Sequence, residues 1–75
     1  MADSQRIARQ VGGALRRVRM QRRQRQYRVA EAAGISRGEL AAYERGRQQP
    51  SVAALAALLR VLGCSAEDFG RHLGP

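Results

Sequence analysis

Arginine is the residue type with the clearest chemical role in this chain, because its guanidinium group binds anions. All 14 basic residues are arginine and six residues are acidic, which gives a formal net charge of +8. Residues 1–30 hold nine of the arginines and one acid, Asp3, whereas residues 31–75 hold five arginines and five acids. Because guanidinium groups bind phosphate in a bidentate manner, this asymmetry predicts a polyanionic partner, either nucleic acid or an anionic membrane surface.

The other reactive residue types point away from catalysis. With one histidine, His72, one cysteine, Cys64, and no clustered carboxylates, the sequence offers no group for acid–base, nucleophilic or metal chemistry. We therefore expect no enzyme activity, metal, cofactor or small-molecule ligand, and we expect Cys64 to be an apolar filler. The longest apolar run, residues 52–59, is far shorter than the roughly 18 residues of a membrane span. Since residues 1–10 are polar and basic, unlike a secretion signal, the sequence favours a cytoplasmic protein.

The elements that must position these arginines are helices, and two of them carry a helix-turn-helix pattern. Ala30 is small where a second helix would cross, and Gly34, four residues on, suits the left-handed backbone of a tight turn. Val29, Leu40 and Tyr43 are spaced to share a core. A unit of this kind presents its second helix to the major groove of B-DNA.

Helical periodicity and capping residues predict the remaining elements. Ile7, Val11, Leu15 and Val18 form one apolar stripe on a first helix that ends near Arg22. Because Gly12 and Gly13 weaken its start, we expect residues 1–10 to be a basic arm or an extra helical turn, and residues 11–75 to form the DNA-binding domain. A capping box begun by Ser36 starts a third helix that ends at Gly46, after a second at 26–33. Ser51 and Ser65 cap two more, over 52–62 and up to Leu73. The prediction is an all-α, five-helix domain.

The chain resembles the lambda-repressor-like, Cro-type family, also called the xenobiotic-response-element family, over about residues 11–70. The segments that carry the resemblance are Val11-Gly12, Leu15-Arg16 and Val18-Arg19 in the first helix, Gln26, Val29-Ala30 and Gly34-Ile35-Ser36 in the motif, and Leu40, Tyr43-Glu44-Arg45-Gly46, Pro50-Ser51, Leu55, Leu58 and Leu62-Gly63 beyond it. The resemblance implies a compact fold that binds double-stranded DNA and regulates transcription, as a bacterial or phage repressor of the Cro-like type does.

The resemblance also implies roles for single residues. It places Arg37, Gly38 and Ala42 at base edges, and Arg19 and Glu44 in a buried ion pair between the first and third helices. It assigns phosphate contacts to Gln26, Ser36, Arg45 and Arg47. Arg23 and Arg25 stand where the family commonly has a glycine and a capping Ser or Thr. The basic cluster that includes them is expected at the DNA backbone.

The recognition helix has few long polar side chains, and this limits direct readout. Arg37 alone can make the bidentate contact to guanine, whereas Ala41 and Ala42 offer apolar contact to a thymine methyl and Glu39 is engaged in capping. Tyr27 is equally suited to phosphate contact and to filling the space under the first turn. We therefore expect DNA shape and phosphate contacts to supply much of the affinity.

A homodimer on an inverted-repeat operator is the leading expectation, because two-fold pairing places two recognition helices about 34 Å apart. Its interface is expected on the fourth and fifth helices, which have more apolar residues than one helix face can bury: Val52, Leu55, Leu58, Leu59, Val61, Leu62 and Phe69. Two alternatives stay open. The first is a protein-interaction module of the antitoxin-like or anti-activator kind, and the second, less favoured, is a basic amphipathic segment on a membrane surface.

Overall fold

The computed structural model of the protein describes residues 2–73, so residues 1, 74 and 75 of the predicted ranges lie outside it. The described residues form an all-α fold whose chain order brings the helix-turn-helix into the middle of the sequence. Across residues 2–73 there are five helices: α1 (Ala2–Gln21), α2 (Gln26–Ala33), α3 (Arg37–Glu44), α4 (Val52–Leu62) and α5 (Ala66–His72).

Helix α1 is longer and more regular than the sequence suggests. It runs unbroken through Gly12 and Gly13, so residues 2–10 belong to the same helix as residues 11–21. Gly12 has a packing reason: a Cβ atom there would lie 1.9 Å from the Tyr43 carbonyl oxygen. The glycine lets α1 pass directly over the backbone of α3. Of the predicted apolar stripe, Leu15 and Val18 are buried, but the prediction is wrong at Ile7, which is 46% exposed.

The turn between α2 and α3 has the geometry that its residue types predict. Gly34 takes a left-handed conformation (φ 77°), and the Ile35 amide donates to the Ala30 carbonyl at 3.0 Å. Ser36 then caps α3, with its hydroxyl accepting from the Glu39 amide and the Glu39 carboxylate accepting from the Ser36 amide. These reciprocal bonds satisfy two otherwise unpaired backbone donors and fix where α3 begins.

The core lies between the motif and the helices around it. The predicted core residues Val29, Leu40 and Tyr43 are buried, together with Ala30 and Leu15. Helix α4 packs on α2, and α5 packs on α1. The buried residues that they contribute are Leu58, Leu59, Leu62 and Phe69, with Cys64 between the helices.

The packing of α4 and α5 shows that most of the apolar residues named for a dimer surface are not on the surface. Leu58, Leu59, Leu62 and Phe69 are in the core of the chain itself. These two helices bury more apolar residues than one helix face could, because α4 packs on α2 and α5 packs on α1. Of the seven residues named for that surface, Leu55 is partly buried, and Val52 and Val61 are exposed.

Candidate nucleic-acid interface

One open groove gathers arginines from three helices. It runs between the end of α1, the start of α2 and the outer face of α3, and most of the residues around it are polar or basic. The lining residues are Arg16, Arg19, Arg25, Gln26, Tyr27, Arg37, Ala41, Glu44 and Arg45. The structure therefore brings together predicted contact residues that lie up to 20 positions apart in the sequence.

A buried ion pair forms the floor of this groove. Arg19 donates from Nε to Glu44 Oε2 at 2.7 Å and from Nη2 to Glu44 Oε1 at 2.9 Å. The side chains are 14% and 3% exposed. Arg19 Nη1 also donates to the Gln24 carbonyl at 2.9 Å, which ties the turn before α2 to the same pair. Because both charges are paired in a bidentate geometry, their burial is compensated.

The pair continues into a chain of polar contacts that reaches the start of α3. Gln26 Nε2 donates to Glu44 Oε1 at 3.1 Å, and Arg37 Nε donates to Gln26 Oε1 at 3.4 Å. The Gln26 amide therefore links the Arg37 guanidinium to Glu44, and Glu44 is in turn paired with Arg19 on α1. A side chain held by neighbours in this way loses less rotamer freedom when it binds a ligand.

The first turn of α3 begins at this groove, where Arg37 is one of the lining residues. Arg37 and Gly38 are exposed there, and a Cβ on Gly38 would meet Ser36 Oγ at no closer than 3.9 Å. Ala42 follows one turn later and is half-buried. Glu39, which the sequence also allowed as a cytosine contact, has its carboxylate on the Ser36 amide. Direct contact from α3 therefore depends on one long polar side chain, Arg37.

The turn before α2 adds a second basic cleft, lined by Arg23, Gln24, Arg25 and Arg28. Arg23 takes the left-handed conformation (φ 54°) that favours glycine and so meets the backbone requirement of the family position at some cost in strain. Within the described residues, the N-cap Arg25 makes no side-chain hydrogen bond to α2. The first amide groups of α2, which carry the positive end of the helix dipole, therefore receive no hydrogen bond from the N-cap side chain.

Tyr27 lies on this surface rather than under it. Its side chain is exposed, and the neighbouring Arg28 guanidinium holds the pKa of the Tyr27 phenol below its ordinary value. The Tyr27 side chain therefore does not fill the space under the first turn, which was one of the two roles that the sequence left open for it.

Arg45 and Arg47 are exposed where α3 ends. Gly46 between them is left-handed (φ 72°), and the Arg47 amide closes α3 on the Ala42 carbonyl at 3.0 Å. The two arginines therefore flank the C-terminal end of α3, opposite Arg37.

Arg16 and Arg28, which line the two clefts, were expected at the DNA backbone only as members of the basic cluster and not as individual contact residues. Arg16 had a usable signal, since it lies three residues before Arg19 on a predicted helix. No sequence signal predicted the hydrogen bond between Arg37 and Gln26, because it depends on how α2 and α3 cross.

Within residues 2–73 there is no group of three or more His, Cys, Asp or Glu side chains that could hold a metal ion. No helix of that part of the chain is both long and apolar enough to cross a membrane.

Comparison with known proteins defines the class. The model of a helix-turn-helix domain family matches residues 10–72, so the chain belongs to this family. With its fold and basic groove, it is a DNA-binding domain of the transcription-regulator type. No curated protein matches the chain by sequence.

The chain is similar to a particular solved regulator, the clp gene regulator ClgR from Corynebacterium glutamicum. Two crystal structures of that protein superpose with a TM-score of 0.86 at 33% sequence identity and cover 89% of this chain. The match takes in 71% of the ClgR chain in one structure and 87% in the other.

Proposed function

We propose that this chain is a sequence-specific transcriptional regulator that inserts α3 into the major groove of DNA. The observation that carries the proposal is the basic groove, in which Arg16, Arg25, Arg37 and Arg45 line the space beside α3. A surface with this charge and shape suits a helix-in-groove complex flanked by phosphates.

Base reading belongs to Arg37, Gly38 and Ala42. Arg37 recognises a guanine through O6 and N7, a contact that discriminates by about 1–3 kcal/mol. Gly38 lets the backbone of α3 come close to the bases, and Ala42 offers a methyl group. With one strong reader per domain, specificity depends on combining two domains and on DNA shape.

Phosphate binding belongs to residues on either side of α3. Arg23 and Arg25 lie with Gln26 at the start of α2, Ser36 lies at the start of α3, and Arg45 and Arg47 lie beyond its end. In this arrangement Gln26 has two roles, since the amide that orients Arg37 is beside the backbone amides that would meet a phosphate.

The regulator acts as a homodimer on an inverted repeat, because one domain reads only a few base pairs. On α4 the large apolar residues that stay exposed are Val52 (87% exposed) and Val61. An interface on this helix is therefore small, which favours a weak dimer that DNA stabilises. Sedimentation equilibrium with and without operator checks this: two chains per duplex are expected, and one chain per duplex at saturation would contradict it.

The placement of α3 in the major groove is tested by comparing Arg37→Ala with Arg47→Ala on an operator recovered from random duplex DNA. Arg37→Ala should relax the preference at one base pair per half-site, since it removes the guanine contact. Arg47→Ala should weaken binding to all sequences about equally, since a phosphate carries no sequence information. If Arg37→Ala kept the full sequence preference, the placement of α3 would be wrong.

A protein-interaction module of the antitoxin-like or anti-activator kind is the second candidate. The observation that favours it is the outer face of α3, where Ala41 and Ala42 follow Arg37 and little else can read a base. Salt-dependent DNA binding separates the two candidates, because an interaction module does not require it.

A further inference from the structure

The first turns of α1 lie against the loop that follows the recognition helix. Residues 2–9 precede the segment that the family model matches, yet they continue α1. A Cβ on Gly46 would lie 2.6 Å from Arg9 Cγ and 2.8 Å from Arg9 Cα. Gln49 Nε2 donates to the Ser4 carbonyl at 3.1 Å. The extension therefore holds the loop at two points, one on each side of Arg47.

Arg9 lies beside Arg45 and Arg47 through these contacts. Gly46, which the Arg9 backbone and Cγ touch, is the residue between those two arginines. Arg9 is exposed, and it precedes Arg16 by seven residues, which puts both on one face of the helix. Arg16 and Arg45 both line the groove between α1, α2 and α3, so Arg9 continues the basic face past the end of α3. We name Arg9, Arg45 and Arg47 the flanking cluster.

We propose that the flanking cluster binds backbone phosphates of DNA outside the base pairs that α3 reads, with Arg9 as an additional phosphate ligand. This inference rests on the proposed function and extends its footprint. Continuity with the groove favours DNA over an acidic protein, since a duplex presents phosphates along its whole length. Residues 1–30 contain only one acid, Asp3, so little in that segment offsets the field of these arginines.

The expected effect is a change in salt dependence rather than in sequence preference. Each phosphate contact contributes about 0.9 to the slope of log affinity against log salt. Arg9→Gln should therefore lower the slope by about 0.9 for each bound chain. Between about 50 mM and about 200 mM salt, the affinity of the variant should fall about threefold to fourfold less than that of wild type.

Two further variants separate a phosphate contact from a general charge effect. Arg60→Gln removes the same charge from the exposed side of α4, a helix that packs on α2 away from the flanking cluster. Arg9→Lys keeps the charge. Both Gln and Lys at position 9 retain the Cγ atom that packs on Gly46, so melting temperatures close to wild type are expected for all three proteins.

The experiment measures fluorescence anisotropy on the recovered operator, trimmed to its specific base pairs or extended by about half a helical turn at each end. The expected result is a lower slope for Arg9→Gln on the extended duplex, with Arg60→Gln and Arg9→Lys near wild type and no such difference on the trimmed duplex. Equal slopes for wild type and Arg9→Gln, or an equal loss for Arg60→Gln, would overturn the flanking contact while leaving the proposed function intact. Failure of wild type to bind any duplex would overturn the proposed function and this inference together.

Discussion

Gly12 and Gly13 are adjacent in α1, and replacing each by alanine should have opposite effects on stability. At Gly12 the new Cβ atom would lie 1.9 Å from the Tyr43 carbonyl oxygen and 3.0 Å from its carbonyl carbon. At Gly13 the nearest atom is Arg17 Nη1 at 3.3 Å, the end of a flexible side chain. The pair is therefore a matched test of how closely α1 approaches α3.

The expected change in the free energy of unfolding is the balance of two opposing effects, helix propensity and steric overlap. Alanine is favoured over glycine in a helix by about 0.5–1 kcal/mol at both positions. At Gly12, however, a carbon needs about 3.3 Å from a carbonyl oxygen, so the helices must separate by roughly 1.4 Å. Overpacking of a core costs about 1–3 kcal/mol, and the upper end applies because backbone atoms cannot rotate away. Gly12→Ala should thus lose about 2 kcal/mol net and Gly13→Ala should gain about 0.5–1 kcal/mol.

Thermal unfolding followed by circular dichroism measures the difference. In a domain of this size 1 kcal/mol corresponds to about 4–8 °C, so Gly12→Ala should melt about 8–16 °C below wild type. Gly13→Ala should melt slightly above it. If Gly12→Ala melted at or above the wild-type temperature, the close crossing of α1 and α3 would be refuted, and with it the geometry that aligns Arg19 with Glu44.

Three other predictions concern single side chains. Glu44→Ala strands the Arg19 charge, so it should lose about 3–5 kcal/mol of unfolding free energy in urea, whereas the exposed control Glu67→Ala should stay within about 0.5 kcal/mol of wild type; equal effects would contradict the role of the buried pair. Arg23→Gly relieves the left-handed strain and should raise that free energy by roughly 0.5–1 kcal/mol while weakening DNA binding at low salt, and a loss of stability would count against the strained turn. Arg28→Gln should raise the pKa of the Tyr27 phenol, seen as a later rise of phenolate absorbance in alkaline titration, because the Arg28 contact lowers it. Since the folded-state pKa is the lower one, stabilisation by this contact is present above pH of about 10 and is lost as pH falls through the folded-state value; an unchanged titration curve would refute the contact.

Much of the motif could be predicted because its signals are local. Gly34 permits a left-handed turn, Ser36 and Glu39 cap α3 from three residues apart, and Ser51 caps α4. Each of these depends on backbone groups within a few positions in the chain. The lambda-repressor-like fold that the family resemblance implied is confirmed by the structure and by its relatives.

The features that were missed depend on residues far apart in the chain. Gly12 was read as a weak point of α1, because its partner, the Tyr43 carbonyl, lies 31 residues away in sequence. Leu58 and Phe69 are among the apolar residues on which a dimer surface was expected, because no local signal predicts that α4 packs on α2 and α5 packs on α1. In the sequence Arg9 cannot be told apart from the other arginines of residues 1–30, and its contact with Gly46 in the structure is what places it beside the end of α3.

Selection from a pool of random duplex DNA at two salt concentrations tests the central claim most directly. The account predicts binding that weakens steeply with salt, as several phosphate contacts require, together with enrichment of an inverted repeat in the bound fraction. Steep salt dependence without an enriched sequence would contradict base reading by α3. No binding at low salt would contradict the claim that this basic face binds DNA.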